Sequence, residues 1–188
     1  MAAQYSIIPA PVTLIQQPGM FSFNDSTILV ADNSLKKVAD MAKSYFHLKD
    51  GSATKNAVLL KVDRSLKLNE EGYRLIVDTD TVEIQGKSTA GVFYGLQSLR
   101  QLMPTEGWNG AHTFDVPAVI IEDQPRFSWR GAHLDVGRNF MPMSFIKKFI
   151  DRIFVCIWIA ISQSKYFILF RFGYSPNKAS KCFPCKGS

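Results

Sequence analysis

One stretch, Pro125 to Ile150, allows fewer folds than any other part of the chain. It reads P-R-F-S-W-R-G-A-H-L-D-V-G-R-N-F-M-P-M-S-F-I-K-K-F-I. A turn signal at Asp123-Gln124-Pro125 leads into a short strand, Gly131 to Val136, and then into a loop, Gly137 to Pro142. After the loop, Phe145, Ile146, Phe149, Ile150 and Ile153 recur at the spacing of one helix face. Strand, loop and helix in that order make a βα unit of a barrel or an open α/β sheet. In both architectures ligands sit in the loops after the strand's carboxyl end, which is where Asp135 and Arg138 fall.

The 120 or so residues before this unit read as a separate layer. Val12 to Ile15, Met20 to Phe23 and Thr27 to Val30 are expected as short strands, broken by turns at Pro18-Gly19 and Asn24-Asp25. A helix capped by Asn33 or Ser34 buries Leu35, Val38, Ala39, Ala42, Tyr45 and Phe46, and Gly51 is expected to stop it. Ala57 to Val62 reads as a strand buried on both faces. Gly72 to Val77 and Thr81 to Ile84 read as a hairpin around Asp78-Thr79-Asp80. Ser88 or Thr89 caps a second helix that turns Val92, Leu96, Leu99 and Met103 inward and is closed by Pro104. Gly91 and Gly95 lie four apart on that helix. They either allow close approach to a sheet or are tolerated helix glycines. The layer is therefore expected to be α+β: an antiparallel-rich sheet with two helices on one face.

Charge decides what the chain does not bind. The formal net charge is +6, but six of the basic residues lie from Arg152 onward, where no acidic residue occurs, and the remainder of the chain is neutral. No basic face exists in the body, so no nucleic-acid partner is expected. All three cysteines, Cys156, Cys182 and Cys185, also lie in that tail. Cys182-Phe183-Pro184-Cys185 lacks the further ligands of a zinc site and the βαβ context of a redox pair. The apolar run from Ile153 to Ile161 is too short for a membrane span, and extending it would bury Ser162 to Lys165. No signal peptide is visible at Met1 to Pro9.

The motif P-R-F-S-W-R-G-A-H-L-D-V-G-R-N-F-M-P resembles the opening of the catalytic domain of family 20 glycoside hydrolases, the β-N-acetylhexosaminidases. The family wording is P-R-F-x-W-R-G-x-x-L-D-x-S-R-H-F-x-P, and this chain departs from it at Gly137 and Asn139. Upstream, G-Y-R-L-I-V…V-E-I-Q-G-K-S-T-A-G-V-F-Y-G-L-Q-S-L-R-Q-L resembles the small domain that precedes the barrel in the same family. The resemblance implies three segments: a small domain at 1–124, the first βα unit of an incomplete (β/α)8 barrel at 125–152, and an unrelated tail at 153–188. Family wording, acidic residues and a cysteine-free composition all end near Arg152, which points to a change of reading frame there.

The resemblance also implies a chemistry. Family 20 enzymes remove terminal N-acetylglucosamine or N-acetylgalactosamine from chito-oligosaccharides and glycans, without a metal or cofactor. The substrate's own acetamido oxygen is the nucleophile. An Asp-Glu pair on a later barrel strand orients that group and donates the proton, and nothing in this chain matches the pair. Glu122-Asp123 and Glu70-Glu71 are adjacent acids in structural or solvated positions.

Arg138 matches the arginine that donates to the terminal sugar's 3- and 4-hydroxyls, a planar fork suited to two neighbouring oxygens. Asp135 is expected to support it. Arg130 and Trp129 read as interdomain contacts, and His133 as a core or lumen histidine. The expected fragment is inactive and self-associates through exposed apolar surface; the resemblance implies a periplasmic or extracellular intact form, while the cysteine-free body suits a cytoplasmic one equally. The rival expectation is a non-catalytic glycan- or protein-binding α+β module with a surface-associating tail.

Overall fold

The computed structural model describes residues 7–127, 130, 132–135, 140–157 and 168–171. The chain divides into two compact units, Met1–Arg126 and Phe127–Ser188. In the first, the strands are β1 (Thr13–Phe23), β2 (Ile28–Ala31), β3 (Lys49–Asp50), β4 (Ala57–Val62), β5 (Tyr73–Val77), β6 (Thr81–Gly86) and β7 (Phe114–Asp123). Its helices are α1 (Lys36–Phe46), α2 (Thr89–Leu102) and the single turn α3 (Thr105–Trp108). The second unit contains β8 (Ala132–Asp135), α4 (Met143–Ile157) and β9 (Ile168–Arg171).

The first unit is a seven-stranded sheet in the order β1-β7-β5-β6-β4-β2-β3. Its β1/β7, β7/β5 and β5/β6 pairings are antiparallel, whereas β6/β4, β4/β2 and β2/β3 are parallel. The expected antiparallel-rich sheet is therefore mixed. The helix α1 between β2 and β4 returns the chain in the same direction, and β5 intervenes in sequence between β4 and β6, so that β6 again runs parallel to β4. The hairpin of β5 and β6 forms as expected. Asp78 accepts from the Asp80 and Thr81 amides at 2.6 and 3.2 Å, and Asp78 N donates to Thr81 O at 3.0 Å.

Two further expectations are corrected. Pro18-Gly19 does not separate two strands; β1 runs through it. Gln16 pairs with Val119 and Met20 with Pro117, so three residues of β1 face Ala118 alone. Proline cannot donate to the ladder, and an edge strand absorbs that by bulging, with Gly19 at φ +102°. Helix α1 also stops short of Gly51, because His47 takes the left-handed conformation (φ 53°, ψ 37°) directly after Phe46.

One face of the sheet carries the core. Val58, Leu60, Leu75, Val77, Val82, Ile84 and Ile121 are at most 1% exposed, and α1 and α2 pack over that layer. Phe23 stacks on Phe46 of α1 and on Phe114 of β7, with centroids 5.0 and 4.9 Å apart. The opposite face is mixed and partly exposed, with Ile15, Ile120, Ile76, Glu83 and Leu59 in one cross-strand row. Leu59 is half-buried and Lys61 exposed, so β4 is covered on one face and not on both.

Glycine decides how closely α2 sits. Ser88 caps the helix by accepting from Ala90 N at 3.1 Å. A Cβ on Gly91 would overlap the Gly72 carbonyl, and one on Gly86 would overlap the backbone of Gly91 and Val92. Of the two readings of Gly91 and Gly95, close approach is the one observed.

In the second unit β8 and β9 pair in parallel, with α4 between them in sequence, which makes a β-α-β arrangement rather than a lone βα unit. β9 belongs to the segment expected to be an unrelated tail.

Candidate functional site

The helix that follows the site loop starts in an ordinary way. The Pro142 carbonyl accepts from Phe145 N at 2.9 Å and from Ile146 N at 3.2 Å, and proline at this point needs no amide partner of its own. Ile146, Phe149 and Ile150 of α4 are half-buried, while Phe145 is 42% exposed. The four-residue register pairs Ala132 with Ile168, His133 with Leu169, Leu134 with Phe170 and Asp135 with Arg171. Both parallel strands therefore end level with one another, at Asp135 and Arg171. The carboxyl edge of parallel strands is where α/β folds assemble their sites.

Asp135 is placed by its backbone as the last residue of β8. Its side chain, the side chain of His133, and all of Trp129 and Arg138 lie outside the described residues. So do Gly137 and Asn139, the two departures from the family wording, and Cys182 and Cys185. Arg130 donates from Nη1 to the Phe127 carbonyl at 2.5 Å.

The carboxylates of Glu122, Asp123 and Glu83 are engaged in structural contacts. Glu122 pairs with Arg74 across the open face, with Nε donating to Oε1 at 2.5 Å. Asp123 accepts from Val12 N at 3.1 Å and from the Tyr73 hydroxyl at 3.4 Å. Burial drives the Tyr73 hydroxyl far above the usual phenol range, with the Asp123 charge adding to that and a 2.5 Å bond to Ser98 opposing it. Burial pushes Glu83 up as well. The Lys61 ammonium at 2.7 Å and Gln85 nonetheless hold it below the usual carboxylate range. Glu70 offers its carbonyl to the Ser88 hydroxyl at 2.6 Å, and Glu71 N donates to Asn69 Oδ1 at 3.0 Å.

Sequence reading missed one cluster. His47 stacks on His112 with centroids 4.1 Å apart and rings 14° from parallel, and His112 Nδ1 lies 2.8 Å from Asp25. The bond from His112 lowers the Asp25 carboxyl. The three residues are scattered through the sequence, so no motif could have flagged them. Imidazole lone pairs lie in the ring plane, and two stacked rings cannot aim both at one ion. Among the described residues no group of three or more His, Cys, Asp or Glu could hold a metal. No described helix is long and apolar enough to cross a membrane.

Comparison with known proteins gives this arrangement a context. Residues 4–124 match the profile described as glycosyl hydrolase family 20, domain 2, and residues 127–156 match the family 20 catalytic domain. A β-hexosaminidase of Porphyromonas gingivalis is 38% identical over 159 residues, which cover 78% of this chain and 20% of that protein. A β-N-acetylhexosaminidase of Cellulomonas fimi is 32% identical over 77% of this chain and 31% of its own length. Among solved structures, the family 20 β-N-acetylhexosaminidase of Streptomyces coelicolor A3(2) aligns with a TM-score of 0.68 at 29% identity, over 79% of this chain and 32% of that one. The chain thus spans between a fifth and a third of the length of these relatives. With one family profile running over most of the first unit and a second taking up β8 and α4 in the same order, the chain belongs to glycosyl hydrolase family 20.

Proposed function

We propose that this chain is the opening part of a β-N-acetylhexosaminidase. Residues 1–124 supply its small domain and 125–152 the first βα unit of a (β/α)8 barrel. The segment 153–188 is foreign, introduced by a change of reading frame near Arg152. The observation that carries the reading is the order of the two family matches, 4–124 and then 127–156. The catalytic match stops at 156, close to where acidic residues disappear from the sequence.

The intact enzyme removes terminal N-acetylglucosamine or N-acetylgalactosamine from chito-oligosaccharides or glycans, in the periplasm or outside the cell. The substrate's acetamido oxygen attacks the anomeric carbon, so the protein supplies orientation and a proton rather than a nucleophile. Arg138, three residues beyond the end of β8, donates to the 3- and 4-hydroxyls of the terminal sugar, and Asp135 supports it. The 188-residue chain alone is inactive. No motif in it matches the Asp-Glu pair, and Glu83, Glu122 and Asp123 are committed to Lys61, Arg74, Val12 and Tyr73.

The test is a chimaera in which residues 1–152 replace the matching segment of the Cellulomonas fimi relative. Release of a chromogenic N-acetylglucosaminide within about tenfold of the parent rate is expected. A folded chimaera without activity would overturn the reading. Turnover by the 188-residue chain alone would overturn the claim of inactivity.

A further inference from the structure

Asn109 is followed by Gly110, and no other asparagine in the chain precedes a glycine. Glycine has no Cβ, so its main-chain nitrogen can approach the preceding asparagine's side-chain carbonyl without steric hindrance. Both residues are exposed, in the loop that leaves α3. Nothing lies within 4 Å of the point where a side chain on Gly110 would begin. Asn24, Asn56 and Asn69 commit their amide nitrogens, to Ser22 O at 3.2 Å, Ser26 Oγ at 3.0 Å and Pro125 O at 3.1 Å. The Asn109 side chain has no hydrogen-bond partner among the described residues. What restrains the pair is the closed turn: Asn109 sits at φ −86°, ψ 8°, and Gly110 N donates to Gly107 O at 3.1 Å. Helix α3 is four residues long, and a single turn has little cooperativity to resist opening.

We infer that Asn109 is a site of spontaneous succinimide formation, gated by the opening of α3. In the open turn Gly110 N loses its proton to solvent and attacks Asn109 Cγ. The new N–Cγ bond closes the ring, and the side-chain nitrogen takes up a proton and leaves as ammonia. Water then opens the ring. Attack at Cγ breaks the N–Cγ bond and leaves aspartate; attack at the main-chain carbonyl carbon leaves isoaspartate, with the chain running on through Cβ. The net change is amide plus water to carboxylic acid plus ammonia, with no oxidant, metal or cofactor. The longer main chain of isoaspartate strains the bonds that close the turn, from Gly110 N to Gly107 O at 3.1 Å and from Ala111 N to Glu106 O at 3.0 Å. The new carboxylate also lies next in sequence to Trp108, whose ring centre is 4.4 Å from the Arg100 guanidinium carbon. Asp50 precedes a glycine too, but Lys43 holds its carboxylate at 2.9 Å, and a carboxylate is a poorer electrophile than an amide.

Incubation of the full 188-residue chain in heavy-oxygen water at mildly alkaline pH tests this, with digestion in acid and mass spectrometry of the peptide that contains position 109. Heavy oxygen enters only the product formed during the incubation. Conversion at Asn109 should outrun that at the exposed Asn33, which precedes Ser34, by about tenfold or more. It should yield both aspartate and isoaspartate and quicken as pH rises. Unfolding in urea should quicken it about tenfold further, since no turn then has to open. Asn109→Gln, with an unchanged circular dichroism spectrum, should abolish conversion at that position, because the longer side chain must close a larger ring. An Asn109 that keeps its amide as long as Asn33 in the folded chain would overturn the inference. Equal rates in the folded and the urea-unfolded chain would overturn the gating by α3.

Discussion

The Cγ2 methyl of Ile84 lies 2.5 Å from the point where a side chain on Gly95 would begin. Helix α2 therefore rests on the sheet at a separation that only glycine allows, with Tyr73 Cδ2 at 3.1 Å closing the other side. The position sets two effects against each other. Alanine in a helix interior gains about 1 kcal/mol over glycine from propensity. Forcing an extra methyl into a packed layer costs about 1–3 kcal/mol, and here the neighbours are a β-branched residue and a ring in the core. We expect the clash to win, so that Gly95→Ala lowers unfolding free energy by up to roughly 2 kcal/mol in a urea titration. A stabilised Gly95→Ala protein would mean that α2 can lift off the sheet without loss.

Ser88 gives a smaller, independent effect. Its hydroxyl oxygen accepts from Ala90 N while its O–H donates to the Glu70 carbonyl, so it ties the start of α2 to the loop before β5. Ser88→Ala should cost about 1–2 kcal/mol, and Ser88→Asp should recover most of the cap but not the bond to Glu70. Equal stability of all three proteins in denaturant would remove the cap from the account.

Tyr73 predicts a pH dependence whose sign follows from burial. Its folded pKa is raised above the unfolded value, so its contribution is fully present below about pH 10 and is lost as pH rises beyond that. The unfolded chain can release the phenolic proton there and the folded one cannot. Stability of the wild type should fall more steeply above about pH 10 than that of Tyr73→Phe. Tyr73→Phe should in turn be weaker near neutrality by about 1–3 kcal/mol, because the Ser98 hydroxyl and Asp123 lose their partner. Parallel stability profiles from pH 8 to 11 (roughly the span of phenol ionisation) would show that Tyr73 does not titrate on unfolding.

What was legible in the sequence depended on how local its cause was. The β5–β6 hairpin and the Ser88 cap were readable because a few adjacent side chains determine each. The mixed sheet was not, since β4 pairs in parallel with β2 across α1 and with β6 across the intervening strand β5, and no short turn records either pairing. His47 as the end of α1 was missed for a similar reason. Gly51 is the usual stop signal, yet the chain turns left-handed four residues earlier, at a histidine stacked on His112 from a distant loop. Of the candidate site, the motif located Asp135 at the end of β8. The role of Arg138 came from family resemblance, because sugar recognition depends on strands that converge only in a closed barrel.

Arg138 gives the direct test of that role, in the chimaera carrying residues 1–152. Two hydrogen bonds from a charged donor to neighbouring hydroxyls amount to about 1.5–3 kcal/mol each. Arg138→Ala should therefore lower kcat/KM by about 10²-fold or more. Arg138→Lys should recover little, since an ammonium cannot present two parallel donors. Asp135→Asn should have a smaller effect, expressed in KM more than in kcat if it acts by holding the arginine. An Arg138→Ala chimaera with parental kcat/KM would leave Arg138 an ordinary loop arginine.

The last prediction concerns α4. Phe140 is 91% exposed, Met143 63% and Phe145 42%, and Phe145 stacks on Phe149 with centroids 6.3 Å apart. Contiguous apolar surface of this kind favours association. If two copies meet through α4 by a twofold axis, each substitution acts twice. Burial of one such side chain contributes about 1.5–3 kcal/mol, so Phe145→Gln together with Met143→Gln should weaken dimerisation at least 10²-fold. The stability of the first unit, whose core lies between the sheet and α1 and α2, should be unchanged. Sedimentation velocity over a concentration series reads both proteins. A wild-type chain that stays monomeric at high concentration, or a double variant that associates equally well, would show that α4 is not the surface through which copies meet.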